Sequence, residues 1–512
     1  MISFGLTKEQ DLILKTAKEF AAGELKDIAR DCDEEKQVPQ KMLDKAWELG
    51  LANAAVPEEY GGIGMDRSAM TNVLVCEELA YGCASLATTI MAPASFIQPL
   101  IDFGTDEQKK KYLPIYGGEK FEAAAMALHE SHFTFDPTDC RTSAEKKGDE
   151  WVINGVKRIV PFGQNAKHFL VVAKTGKETG FSGIDAFIIA VDSAGLTISD
   201  DSEKLLGLNP LQCSSLTLEN VTVPNSERLG GDEGIDGRKL INSVRIANSA
   251  LCVGLSKAVI DYSIPYAKDR IAFGEPIAKK QAIAFLLAEM HAETESMRCM
   301  VWKAASQLDQ GVDATKATTL AQHYVNKNAI LIADSGVQIF GGHGYIRDLP
   351  LEMWLRNART LTVMEGLVAG LVVRKHARYY DNHEKELLPD EFPEAKDFDH
   401  INLMAMDRGE EGSSPTVFGL LMTVYKAWGD TTVRLRRGNA ALGNASLAAA
   451  GTPEQNEKWG NTMLSMANTE PGCGSDSKAI ETTAVLDGDE WVLNGEKIFV
   501  TTGIRAEGCV VW

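Results

Sequence analysis

Gly148-Asp149-Glu150-Trp151-Val152-Ile153-Asn154-Gly155 is a short stretch with β-branched residues, bounded by glycine and asparagine. That composition reads as a strand between turns. Phe169-Leu170-Val171-Val172-Ala173 is a short apolar run, and Leu216–Val223 alternates in part before stopping at Pro224. Residues 119–230 therefore predict a small, mostly antiparallel β domain. The flanks differ. Residues 6–118 read as helical, opening on Thr7 three residues before Gln10, a capping pattern. Another helical run spans Ser68 to Tyr81. Residues 236–383 are helical again, with Ile283, Leu286, Leu287, Met290, Met297, Val301 and Trp302 on one repeating face of Lys280–Leu308. A second long helix is expected from about Asp313 to Phe340, stopping at Gly341-Gly342. Long antiparallel helices joined by short turns predict a bundle. The order is α, then β, then α.

The opening stretch recurs as Gly488-Asp489-Glu490-Trp491-Val492-Leu493-Asn494-Gly495, an offset of 488 − 148 = 340 residues. Upstream, Gly104-Thr105-Asp106-Glu107-Gln108 recurs as Gly451-Thr452-Pro453-Glu454-Gln455, an offset of 347. Two collinear matches imply a tandem duplication. The second copy reaches Trp512 at the strand corresponding to Phe169–Val172. This predicts half a β domain with open edges, completed by further chain or by a partner; further chain is the expected case.

The chain has 512 residues, 44% hydrophobic and 24% charged, enough for several domains with cores. A net charge of −20 disfavours nucleic acid and anionic lipid as partners. Nine cysteines include no Cys-x-x-Cys pair, which argues against a zinc ribbon or thioredoxin-like motif. Free buried thiols in a reducing cytosol are expected. The first ten residues lack a basic and an apolar region of a signal peptide. No apolar run is read as reaching the ~18 residues that span a bilayer, so a cytoplasmic protein without a membrane span is expected.

Several motifs then converge. Arg270-Ile271-Ala272-Phe273-Gly274 with Gln281, Gln338-Ile339-Phe340-Gly341-Gly342-His343-Gly344, and Trp354–Arg359 before Met364-Glu365-Gly366 resemble acyl-CoA dehydrogenases. The resemblance covers residues 1–385 and implies an α+β fold. Its expected parts are a helical domain (1–118), a middle antiparallel β domain (119–232) and a C-terminal four-helix bundle (233–385). A partial second copy follows, helical over 386–463 and a truncated β domain over 464–512. The implied cofactor is FAD and the implied substrate an acyl-CoA. Electron-transfer flavoprotein is the implied electron acceptor, and a homo-oligomer the implied assembly.

The residues fit that chemistry in separable ways. Gly341 and Gly342 allow close approach of backbone to a diphosphate, though a helix C-cap explains the pair equally well. Arg270 can make a charge-assisted contact to the diphosphate; alone it reads as a solvated helix end. Phe273, Gln281 and Gln338 complete the implied adenosine side. Glu365 is implied as the base for the C2 proton, although without the resemblance it reads as a surface loop residue. Gly-Gly-x-Gly here lacks the βαβ unit of a dinucleotide fold.

Copy one departs from the family at the flavin face. Where Thr-Glu-Pro-Gly-x-Gly-Ser-Asp is usual it has His129-Glu130-Ser131-His132-Phe133-Thr134-Phe135-Asp136. Ile159-Val160-Pro161 replaces a segment whose threonine bonds flavin N5, and proline has neither hydroxyl nor N–H. His129 and His132 around Glu130 read as loop residues lining an altered cleft, not as metal ligands. Copy two has the usual pattern in Thr469, Gly472 and Ser475, and in Phe499 followed two residues later by Thr501. Copy one is accordingly expected to be able to complete a flavin site on copy two.

Overall fold

The computed structural model describes residues 6–130, 137, 140–163, 165–176, 180–362, 364, 442–460, 462–474, 476–501, 503 and 506–512. The chain forms two compact units. One comprises Met1–Ile271 and Pro276–Val368, the other Ala272–Glu275 and Ala369–Trp512.

In the first unit, helices α1 (Lys8–Phe20), α2 (Lys26–Glu35), α3 (Gln40–Glu48), α4 (Ala69–Met91), α5 (Ala94–Phe103) and α6 (Asp106–Tyr116) precede the sheet. Helix α1 starts where the sequence placed it. Thr7 accepts from the Gln10 N–H, and Gln10 returns the bond to the Thr7 N–H. The run expected to stop at Tyr81 instead continues to Met91, kinked at Cys83 (φ −162°, ψ 115°). The kink lies in a stretch buried almost all round, so packing carries the chain past the break.

After the sheet come α7 (Gly237–Asp269), α8 (Gln281–Asp309), α9 (Thr315–Phe340) and α10 (Leu351–Leu361). Helices α4 and α7 correct one expectation. Each contains an 18-residue window long and apolar enough to cross a membrane by length and composition. Those windows are 83% and 67% buried inside the fold, as expected for core helices. A buried Arg298–Glu77 pair at 2.5 Å ties α8 to α4.

The first unit's sheet holds β1 (Ala124–Ala127), β2 (Ser143–Lys147), β3 (Glu150–Pro161), β4 (His168–Thr175), β5 (Ile184–Ala190), β6 (Leu196–Ile198) and β7 (Cys213–Pro224). Its order is β1-β4-β2-β3-β7-β6, with β5 on β4. Most pairs are antiparallel, as the short alternating runs suggested, but β4 pairs parallel with both β1 and β2. The quoted stretch is the β2–β3 hairpin, with Lys147 opposite Glu150. Trp151 is buried against Phe187, with centroids 5.3 Å apart, and its indole N–H donates to Asn225 at 2.8 Å.

The described residues of the second unit form α11 (Leu442–Ala450), α12 (Pro453–Trp459), β10 (Leu464–Ala467), β11 (Thr483–Asp487), β12 (Glu490–Asn494) and β13 (Gly508–Val511). Their geometry repeats the first unit's. Ala124 faces His168 and Leu464 faces Gly508, each displaced by 340 (464 − 124 and 508 − 168). Ser143 faces Asn154 and Thr483 faces Asn494, displaced by 340 again. Thr105 with Gln108, and Thr452 with Gln455, form the same capping box. The surroundings differ, however: Trp151 is 7% exposed, Trp491 65%.

Candidate active site

Two helix ends meet at the first cluster of candidate residues. Arg270 caps α7, its N–H donating to Tyr266 O at 2.8 Å. The Tyr266 ring stacks on Phe340 at 3.8 Å, and Tyr262 stacks on Phe340 at 5.4 Å. This aromatic stack brings the end of α7 beside the end of α9. Arg270, Gln338, Gly341 and Gly342 thus belong to one local region. Gly341 is the C-cap of α9, at φ 59° and ψ −133°. A Cβ placed there would meet nothing within 4 Å, so the need for glycine is torsional and the space in front is open. The C-cap reading therefore holds as geometry without closing the site to a ligand. Gln281 is the first residue of α8 and, like Gln338, is exposed.

Phe273 lies between β8 (Ile271–Ala272) and β9 (Glu275–Pro276), at φ 54°, and is exposed. It belongs with the second compact unit, where its N–H donates to Asp476 Oδ2 at 2.6 Å. In the same unit the Thr469 carbonyl accepts from the Ile498 N–H at 2.9 Å. A Cβ on Gly472 would meet nothing within 4 Å. Phe499 holds φ 56° two residues before the exposed Thr501. Glu365 and Ser475 lie outside the described residues, as do Ser131–Asp136.

Glu130, between His129 and the undescribed Ser131, is a buried structural anchor. Its carboxylate is buried and accepts from the N–H groups of Arg141 (2.7 Å) and Thr142 (2.9 Å) and from Lys157 Nζ (2.8 Å). Lys157 is itself fully buried and also donates to Leu128 O at 3.1 Å. Burial alone would raise the Glu130 pKa. The Lys157 charge and these hydrogen bonds outweigh that and hold it at about 2. The carboxylate pins the start of β2 to β3. Glu470 does the same, accepting from Glu481 N–H, Thr482 N–H and Lys497 Nζ. Its pKa is held far down, chiefly by the Lys497 bond. Half-buried His129, beside this anchor, has its pKa lowered to about 4 by burial and by the Lys157 charge. Among the described residues no group of three or more His, Cys, Asp or Glu is placed to hold a metal.

Sequence reasoning missed the supports of this region. In β3, Ile159 takes φ 54°, a conformation that a β-branched residue avoids. Phe499 holds the same twist 340 residues on. Arg356 of α10 reaches both Asp33 oxygens, at 3.2 and 2.6 Å, and Glu352 at 2.7 Å. The positive φ shared by Ile159 and Phe499 could have been sought by comparing the copies, and the Glu352–Arg356 pair has the four-residue spacing of a helix face; the Arg356–Asp33 pair joins residues 323 apart and leaves no local trace.

Comparison with known proteins decides the family. The pattern for "Acyl-CoA dehydrogenase, N-terminal domain" matches residues 7–118, that for the middle domain matches 125–221 and again 465–512, and that for the C-terminal domain matches 237–368. The chain belongs to the acyl-CoA dehydrogenase family. It is thereby an oxidoreductase of the class acting on CH–CH groups. A 3-(aryl)acrylate reductase of Clostridium sporogenes is 34% identical over 364 residues, covering 70% of this chain and 95% of the relative. The structure of butyryl-CoA dehydrogenase from Megasphaera elsdenii matches with TM-score 0.65 and 31% identity, over 71% of this chain and 96% of that one. An FAD complex of PigA matches with TM-score 0.64 and 26% identity, over 71% and 96%. The acyl-CoA dehydrogenase middle-domain match at 465–512 fits a partial second copy.

Proposed function

We propose that this chain is an FAD-dependent dehydrogenase acting across the C2–C3 bond of an acyl-CoA thioester, with Glu365 as the base for the C2 proton. The observation that carries the reading is the position of Glu365 inside the matched C-terminal domain, in a chain matching the family's three domains in order.

The described residues fit FAD unevenly. At the diphosphate end, Gly341 offers open backbone and Arg270 a guanidinium at the adjoining helix end. At the ring end, residue 161 is proline and offers neither hydroxyl nor N–H, whereas Thr501 carries both. Bound FAD supplies the hydride acceptor. Glu365 takes the C2 proton on a carboxylate oxygen, a task suited to a desolvated carboxylate. The chain that delivers it leaves α10 from a fixed end. Asn248 Nδ2 donates to Leu361 O at 2.9 Å, and the Met364 N–H to the same carbonyl at 3.2 Å. Electrons pass on to an electron-transfer flavoprotein, and the chain works as a homo-oligomer.

Pro161 favours a second reading, in which copy one is a non-catalytic half whose Arg270, Phe273, Gln281, Gln338, Gly341 and Gly342 complete a flavin site on the second copy. The reductase relative favours a third, the reverse redox direction on the same bond.

The visible spectrum of the purified chain separates these. Flavin bands that bleach on adding an acyl-CoA support the dehydrogenase. Glu365→Gln should keep the bands and lose the bleaching; unchanged turnover removes the base assignment. Two flavins per chain would sink the shared-site reading.

A further inference from the structure

We propose that residues 203–209 form a hydrogen-bonded strut that fixes the bulge Arg158–Pro161 against α10, and that Glu203 and Asn357 are positioning residues for the two halves of the site. The proposal rests on the dehydrogenase reading, which puts residues 159–161 at the flavin face and Glu365 just beyond α10.

One end of the strut holds the bulge. The pairing of β3 with β7 slips between Lys157 and Val160, which leaves Ile159 outside the ladder. Its N–H donates instead to Glu203 Oε1 at 3.1 Å, and Arg158 Nε donates to the same oxygen at 2.7 Å. The Glu203 side chain is 13% exposed, so water competes weakly for these bonds. The Glu203 N–H is tied in turn to Cys213 O at 2.7 Å, at the start of β7. A β-branched residue at φ 54° needs such a restraint to stay there.

The other end is docked on α10. The Gly207 N–H donates to Thr360 Oγ1 and the Leu208 N–H to Asn357 Oδ1, both at 2.8 Å. A Cβ on Gly207 would lie 2.4 Å from the Arg356 carbonyl carbon and oxygen, so only glycine permits the contact. Asn209 Nδ2 donates to Asp33 Oδ1 at 3.0 Å, and Asp33 is the carboxylate that holds Arg356. Asn357 is fully buried and Leu208 likewise. Only four residue steps join the anchors at Glu203 and Gly207, a reach of at most roughly 14 Å. Five residues downstream of Thr360 the chain reaches Glu365. A shift of α10 therefore transmits to the bulge through backbone bonds, and the reverse also holds.

Amide hydrogen exchange on the full chain tests this. Asn357→Ala and Thr360→Val, which lie on α10, should each speed exchange of the Ile159 N–H at least 10-fold. Asn357→Asp, which keeps the acceptor, should not. Glu203→Ala, which removes the acceptor, should give the same acceleration as Asn357→Ala, and the double variant no more than either alone. With acyl-CoA, the α10 variants should lose roughly 10–100-fold in kcat with KM within twofold. Unchanged Ile159 exchange in both Asn357→Ala and Thr360→Val would overturn the strut. Exchange reads the strut without turnover, whereas Glu365→Gln turnover reads the base assignment, so either can fail alone.

Discussion

Replacing Lys157 by methionine should be among the most damaging single changes in the β domain. Lys157 Nζ lies 2.8 Å from Glu130 Oε1, with the two side chains 0% and 3% exposed. Methionine fills most of the stem's volume but leaves the carboxylate buried with only its backbone donors. Breaking one partner of such a pair costs about 3–5 kcal/mol. The depressed Glu130 carboxyl points the same way, with Lys157 and the Arg141 and Thr142 N–H groups together outweighing its burial. Its pKa falls from 4.5 to about 2 on folding, which corresponds to about 3 kcal/mol of stability at neutral pH, at 1.36 kcal/mol for each tenfold step. The sign follows from a depressed carboxylate. The stabilisation is fully present above pH 4.5 and is lost as pH falls through about 2. Lys157→Met should therefore lower the thermal midpoint by roughly 6–20 °C at pH 7, at about 2–4 °C per kcal/mol. The gap between parent and variant should narrow as pH drops from 5 toward 2. Differential scanning calorimetry across that range measures both. A variant within 1 °C of the parent at pH 7, or a gap that widens with acid, would refute the reasoning.

Two further outcomes follow from comparing the copies. Trp151→Ala should cost about 3–5 kcal/mol by urea denaturation, whereas Trp491→Ala, 65% exposed, should stay within about 0.5 kcal/mol; equal costs would show that the Trp491 surroundings are misjudged. Pro161→Thr restores a hydroxyl and an N–H in copy one, so flavin affinity measured by fluorescence quenching should rise roughly 2–10-fold, the value of one hydrogen bond. No change would mean that residue 161 does not face the ring.

Much of the architecture is written locally. The capping residues Thr7 and Thr105 mark helix starts because side chain and backbone lie three residues apart. Gly341 marks the end of α9 because a left-handed φ needs no partner to be legible. The Cys83 kink was invisible, since the apolar pattern continues through it. Within the site, Arg270 and Gly341 were legible as motif members. Their proximity was not, because it depends on Tyr262 and Tyr266 stacking on Phe340. The anchoring role of Glu130 was not legible because its partner Lys157 lies 27 residues on.

The amino-acid sequence alone determined the α, β, α order, the family and the 340-residue repeat, since each rests on local periodicity or on identity between segments. The tertiary structure decided the rest. It placed Glu203 and Asn357 at opposite ends of one strut, and made β4 parallel to β1 and β2 but antiparallel to β5. It also gave two nearly identical hairpins opposite fates. Glu150–Asn154 pairs with β7, and Trp151 packs on Phe187 of β5; Glu490–Asn494 is exposed along its length. Burial belongs to the partner strands, and these come from distant sequence.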